Sequence, residues 1–193
     1  MTISISHLIE FLYRLPNEPL TFSKKIRQTN LFRKAFLMAV LFVSLVYCDG
    51  MSFLTFLYKI TAVCFLVVIT VTDFEHYTIF DIVLLPFAFF GILFALILDQ
   101  SLLERLLSAF IGGSVFFILR ILTKKGLGGG DVKLVATLGL WLGAELIPTL
   151  LNGAILGGIS ALFLLLSGLK SRTDFFAYGP YLCLATAWQI FKP

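Results

Sequence analysis

From residue 35 onward, long apolar runs alternate with short polar breaks. The runs lie at about 35–49, 53–72, 82–98, 103–122, 131–143, 146–169 and 175–191. Several of them reach the roughly 17–25 residues that a helix needs to cross a bilayer, with few charges inside. The first is short, flanked by Asp49-Gly50, and the fifth is brief for a full crossing, so it is expected to tilt or to run on toward Glu145. The pattern predicts an all-α fold, a polytopic transmembrane helical bundle of about six to seven spans. Gly112-Gly113 and Gly153, Gly157 and Gly158 are expected at close helix–helix contacts. Pro148 falls near the start of a run, where a helix tolerates it.

Residues 1–34 differ. Ile3, Ile5, Leu8, Ile9, Phe11 and Leu12 are mixed with polar residues, which suits an amphipathic helix on a membrane surface. Lys24, Lys25, Arg27, Arg33 and Lys34 then form a basic collar before the first run. Basic residues follow the weak apolar segment, the reverse of their order in a cleaved secretory signal. The expected organisation is an interfacial segment over 1–34 and a transmembrane domain over 35–193.

With 59% hydrophobic and 13% charged residues, the chain does not suit a soluble nucleic-acid binder. The net charge of +4 is small, and its clusters bear on topology. Cys48, Cys64 and Cys183 are far apart and form no CxxC pair, so they read as buried, unpaired thiols and not as a zinc site.

With the collar taken as cytoplasmic, residue 50 falls outside and the Asp73–Asp81 loop inside. Asp99–Glu104 is then outside, Arg120–Gly130 inside, Glu145 outside and Lys170-Ser171-Arg172 inside. The Lys/Arg clusters all land on one side, as the positive-inside rule requires, with Arg105 the exception. Asp73 and Asp131 fall on that same side.

These two acids carry the candidate chemistry. Asp131 stands in Gly126-Leu127-Gly128-Gly129-Gly130-Asp131-Val132-Lys133, where four glycines separate two apolar runs. A carboxylate beside hydrocarbon is costly unless it is paired, in a polar cavity or functional. The glycines are expected to supply positive φ and close backbone approach. The plainer reading is a loop whose Asp131 caps the next helix. Asp73 begins the polar stretch Asp73-Phe74-Glu75-His76-Tyr77-Thr78-Ile79-Phe80-Asp81. Two carboxylates facing one cavity share a proton. The ionised one can then take a proton from water while the protonated one donates to a carbonyl. Asp81 reads mainly as a helix cap, and His76 as an interfacial residue, since His7 is the only other histidine. Lys133 points away from Asp131 if the segment is helical, and reads as a positive-inside anchor.

The two stretches together resemble the prepilin peptidases, GxGD-type aspartyl proteases of the membrane. Phe176-Ala177-Tyr178-Gly179-Pro180 is similar to that family's Ile-Pro-Phe-Gly-Pro segment, and the resemblance covers about residues 54–192. Phe80 and Ala177 stand where the family has proline, changing the stiffness of both loops. The resemblance implies Asp73 and Asp131 as the catalytic pair. It also implies Gly128, Gly130, Lys133, Glu75, Asp81, Gly179 and Pro180 as supporting or substrate-binding residues, Lys133 bracing the loop or a substrate carbonyl.

Its further implications are a substrate, type IV prepilins or pseudopilins losing a short basic leader at the cytoplasmic face, and a place in a bacterial inner membrane. It implies no cofactor and no metal, and the partners are the pilin substrate and the lipid bilayer, not nucleic acid. Longer family members add a paired-cysteine domain associated with methylation, so leader removal without methylation is expected. Two other classes stay open on the residues alone: a proton- or cation-coupled transporter, and a catalytically idle assembly factor with the same fold. A transporter would duplicate its helix-breaking motif, and no second glycine-Asp loop occurs. A presenilin-like protease would carry a Pro-Ala-Leu segment, which is absent. The sequence leaves the oligomeric state open.

Overall fold

The computed structural model describes Phe11 and residues 52–123, 127–168 and 177–192. The predicted run at 35–49, the basic collar, Lys124–Gly126 and residues 169–176 lie outside the described residues, as does all of the interfacial segment except Phe11, which is helical and exposed.

Six α-helices are described: α1 Phe53–His76, α2 Asp81–Ile97, α3 Leu102–Leu122, α4 Gly129–Leu142, α5 Leu146–Leu166 and α6 Gly179–Phe191. A 3-10 turn, Gly143–Glu145, joins α4 to α5. The described residues contain no strand, so the all-α expectation holds. Three stretches are long and apolar enough to cross a membrane: Phe53–His76, Leu102–Leu122 and the run Gly129–Leu166.

The helix starts follow side-chain chemistry. Ser52 and Ser101 cap α1 and α3, accepting from the amides of Thr55 and Glu104 at 3.3 and 3.4 Å. Two boundaries differ from the sequence reading. The first described span runs past Asp73 to His76, so Asp73 lies in its last turn. Tyr77 ends that helix in the left-handed region at φ 54°, and its amide donates to the Asp73 carbonyl at 2.9 Å. The last helix starts at Gly179, with Pro180 in its first turn, where the missing N–H leaves no helical bond unmade.

Close packing runs through small residues. A methyl group on Gly139 of α4 would fall 2.4 Å from the Ala109 Cα of α3, so the two backbones touch. Gly112 lies against Leu146, Gly153 against Leu182 and Gly157 against Tyr178, as the glycine clusters suggested. Gly158 does not: nothing lies within 4 Å of its face, because it points out of the bundle.

The helices run alternately up and down. Glu145, at the head of α5, accepts from Gln189 near the end of α6 at 2.8 Å, while Gly157 reaches Tyr178 at the head of α6. One end of the bundle therefore gathers the end of α1 and the heads of α4 and α6. The core between holds Phe80, Phe87, Leu134, Leu138, Trp141 and Leu182, all almost fully buried. Leu103, Phe110 and Leu122 of α3 and Ile147, Ile159 and Phe163 of α5 face outward and exposed. An apolar surface of that extent suits lipid.

Candidate active site

Asp73 is buried, only 5% exposed, in the last turn of α1. Its Oδ2 accepts from the Gly179 amide at 3.0 Å, 106 residues further along the chain. A methyl group on Gly179 would sit 2.6 Å from that same oxygen. Gly179 thus serves twice: its N–H holds the carboxylate, and its missing side chain makes room for it.

Asp131 is half-buried in the first turn of α4. Gly128 is the N-cap of α4, and its N–H bonds back to the Asp131 carboxylate. This is the reach-back half of a capping box, with the acid three residues into the helix. Again the glycine is needed for space, since a methyl group there would lie 2.8 Å from Asp131 Oδ2. Each acid is therefore gripped by one glycine amide. Among the described residues the glycines of this loop do not take the positive φ that the sequence suggested: Gly128 has φ −62°, and the described glycines with positive φ are Gly143 and Gly168. Gly126 lies outside the described residues.

The two acids come together. The Asp131 charge acts on Asp73, and both acids act electrostatically on Cys183. Between α4 and α6 sits the buried side chain of Ile79, whose Cβ would be 3.0 Å from a methyl on Gly130 and whose Cδ1 would be 3.4 Å from one on Gly179. Tyr178 feels the Asp131 charge, and Cys183, a free and buried thiol, is hydrogen-bonded with Thr70. Cys64 is free and half-buried, and Cys48 lies outside the described residues.

The remaining predicted residues divide. Gly130 packs on Ile79, and Pro180 is buried beside Gly179. Glu75 and His76 are half-buried in the last turn of α1. Asp81 is not the cap it was read as: the N-cap of α2 is Phe80, with no side-chain bond. Asp81 is the first helical residue, and its Oδ2 instead meets Lys133 Nζ at 2.5 Å. Phe80, read as a change in loop stiffness, is a core anchor, 1% exposed, and Ala177 is also buried. Ile79 and Tyr178 were missed as site residues; an apolar and an aromatic residue in polar loops carry no chemical signal of their own.

Paired carboxylates held at one end of an apolar helical bundle define a membrane protein with an acid dyad. Residues 60–163 match the type IV leader peptidase family, and this chain belongs to it. A prepilin leader peptidase/N-methyltransferase of Dichelobacter nodosus is 34% identical over 145 residues, 72% of this chain and 47% of that protein. Proteins of the same name from Pseudomonas aeruginosa and Neisseria gonorrhoeae are each 33% identical, over 62% and 80% of this chain and 44% and 54% of theirs. The chain spans about half the length of the curated relatives it matches. No solved structure matches it. Family and apolar helices together describe a bacterial integral membrane protein.

Proposed function

We propose that this chain is an aspartyl endopeptidase that removes the short basic leader from type IV prepilins or pseudopilins. Asp73 and Asp131 are its catalytic pair, on the cytoplasmic side of a bacterial inner membrane crossed six or seven times. Residues 35–193 form the peptidase domain, and residues 1–34 lie at the interface.

The observation that carries this reading is the convergence of the two acids, each oriented by one glycine N–H, at the same end of the bundle. A carboxylate held on one oxygen keeps the other free for a water or a carbonyl. One member takes a proton from the attacking water while the other donates to the scissile carbonyl. The leader's cut site lies at the mouth of an apolar substrate helix that stays in the bilayer, which suits acids at helix ends. Arg120 and Lys133 stand at the acid end, in keeping with a cytoplasmic face. At the opposite end Arg105 and Lys59 are buried, Arg105 turned inward, and Lys192 at the close of α6 is the exposed basic residue among those described.

The test is co-expression with a prepilin, with enzyme levels checked in the membrane fraction. Asp73→Asn and Asp131→Asn should each lower processing by at least about 100-fold, and the double variant should be scarcely worse. Full processing by either single variant rules out the dyad and favours an idle assembly factor.

A further inference from the structure

Lys133 stands two residues beyond Asp131, about 200° around the helix, so it leaves the acid's side of α4. Its ammonium reaches Asp81, the first residue of α2. Asp81 follows Asp73 after one short loop, whose Ile79 and Phe80 are buried. The pair therefore joins the segment that carries one acid to the helix that carries the other.

That helix needs a tie at this end. The first two residues of α4 are Gly129 and Gly130, which have no side chain to anchor the turn that presents Asp131. Gly129 packs against the Arg120 guanidinium and Gly130 against Ile79, and the first fully buried side chains of α4 are Leu134 and Val135, one turn beyond. The far end of α4 is locked by Trp141, fully buried, and by the Arg105 guanidinium on its last carbonyls. Fourteen residues of helix, about 21 Å, separate the locked end from the glycine end. A small tilt about the locked end moves Asp131 relative to Asp73.

We propose that Asp81 and Lys133 act as one positioning device, an ion pair that sets the approach of Asp131 to Asp73. This rests on the endopeptidase reading for its kinetic consequence. Both side chains are about half exposed, 49% and 57%, so the pair adds little to stability. Its effect is on geometry, where a displacement near 1 Å changes rate by about 100-fold.

The experiment compares the wild type with Asp81→Asn, Lys133→Gln, their double variant and the exchanged Asp81→Lys/Lys133→Asp, in detergent with a prepilin substrate. Each single variant should lose about tenfold or more in kcat, with KM within about twofold and an unchanged melting temperature. The double variant should be no worse than the weaker single, and the exchange should regain most of the loss. Normal kcat in the singles overturns the proposal. So does a raised KM with kcat kept, which marks a substrate contact, and so does an exchange as impaired as the singles. Asp81→Ser and Lys133→Met, which also remove one charge of the pair, take the place of any single that fails to fold.

A second readout needs no activity. Nitroxides at Tyr77→Cys and Leu127→Cys, in a background without the native cysteines, report the separation of the two segments by pulsed electron resonance. The distribution should broaden or shift in Asp81→Asn, and an identical distribution overturns the proposal. If the wild type cleaves no prepilin, the endopeptidase reading fails by itself, and the distance measurement still decides the ion pair.

Discussion

The two ends of α4 are built on opposite plans. At its C-terminal end, Trp141 stacks on Phe87 with ring centroids 5.0 Å apart and donates from Nε1 to the Phe87 carbonyl at 2.8 Å. Tyr58 donates to the Trp141 carbonyl at 2.9 Å, and Arg105 to the carbonyls of Leu140, at 2.8 Å, and Trp141. The Ala144 amide donates to Glu104 at 2.8 Å. A helix of this length ends inside the bilayer's depth, where bare carbonyls are costly, so side chains from α1 and α3 satisfy them. At the other end there are glycines, one amide on Asp131 and a half-exposed ion pair. One end carries the stability, and the other keeps an acid accessible. Arg105 breaks the charge asymmetry of the loops because it serves the first of these tasks, not topology.

Substitutions at the two ends should therefore separate activity from stability. The largest effect is expected at the glycine end. Gly179→Ala places a methyl on Asp73 Oδ2, and Gly128→Ala one on Asp131 Oδ2. Prepilin processing should fall by about 100-fold or more in each, with membrane levels near wild type. Normal processing by Gly179→Ala would show that the Asp73 grip has no part in the chemistry.

At the locked end the readout changes to stability. Trp141→Ala removes the largest fully buried side chain and should cost about 3–5 kcal/mol, seen as a large drop in the melting temperature in detergent. Arg105→Met keeps much of the stem but removes the side-chain donor of the Leu140 carbonyl, while Trp141 keeps Tyr58, so about 1–3 kcal/mol is expected. Processing per folded molecule should stay far above that of Gly179→Ala in both. Equal catalytic losses at the two ends would erase the distinction.

The apolar runs were legible because span length and hydropathy are local properties. Five of the expected runs match α1 to α5 closely at their starts. The two acids were legible for a related reason: a carboxylate beside an apolar run is out of place, and the one-sided basic residues put both on the same face. The glycines at 128 and 130 were legible as a group, yet their physical role was not. Sequence suggests freedom of φ, whereas these two provide space, and space depends on what stands opposite.

What only the tertiary structure decided are the partners. That Gly179 holds Asp73 across 106 residues, and that Asp81 pairs with Lys133 instead of capping its own helix, follow from the order in which helices pack. Arg105 looked like a topological exception until α4 proved to end beside it. Phe80 looked like a loop substitution until its ring proved to be core. Hydrophobic pattern specifies which segments enter the bilayer, because transfer free energy sums along a single helix. Which polar groups meet depends on the rotation and neighbour of every helix, and those are set by side-chain packing between segments far apart in the chain.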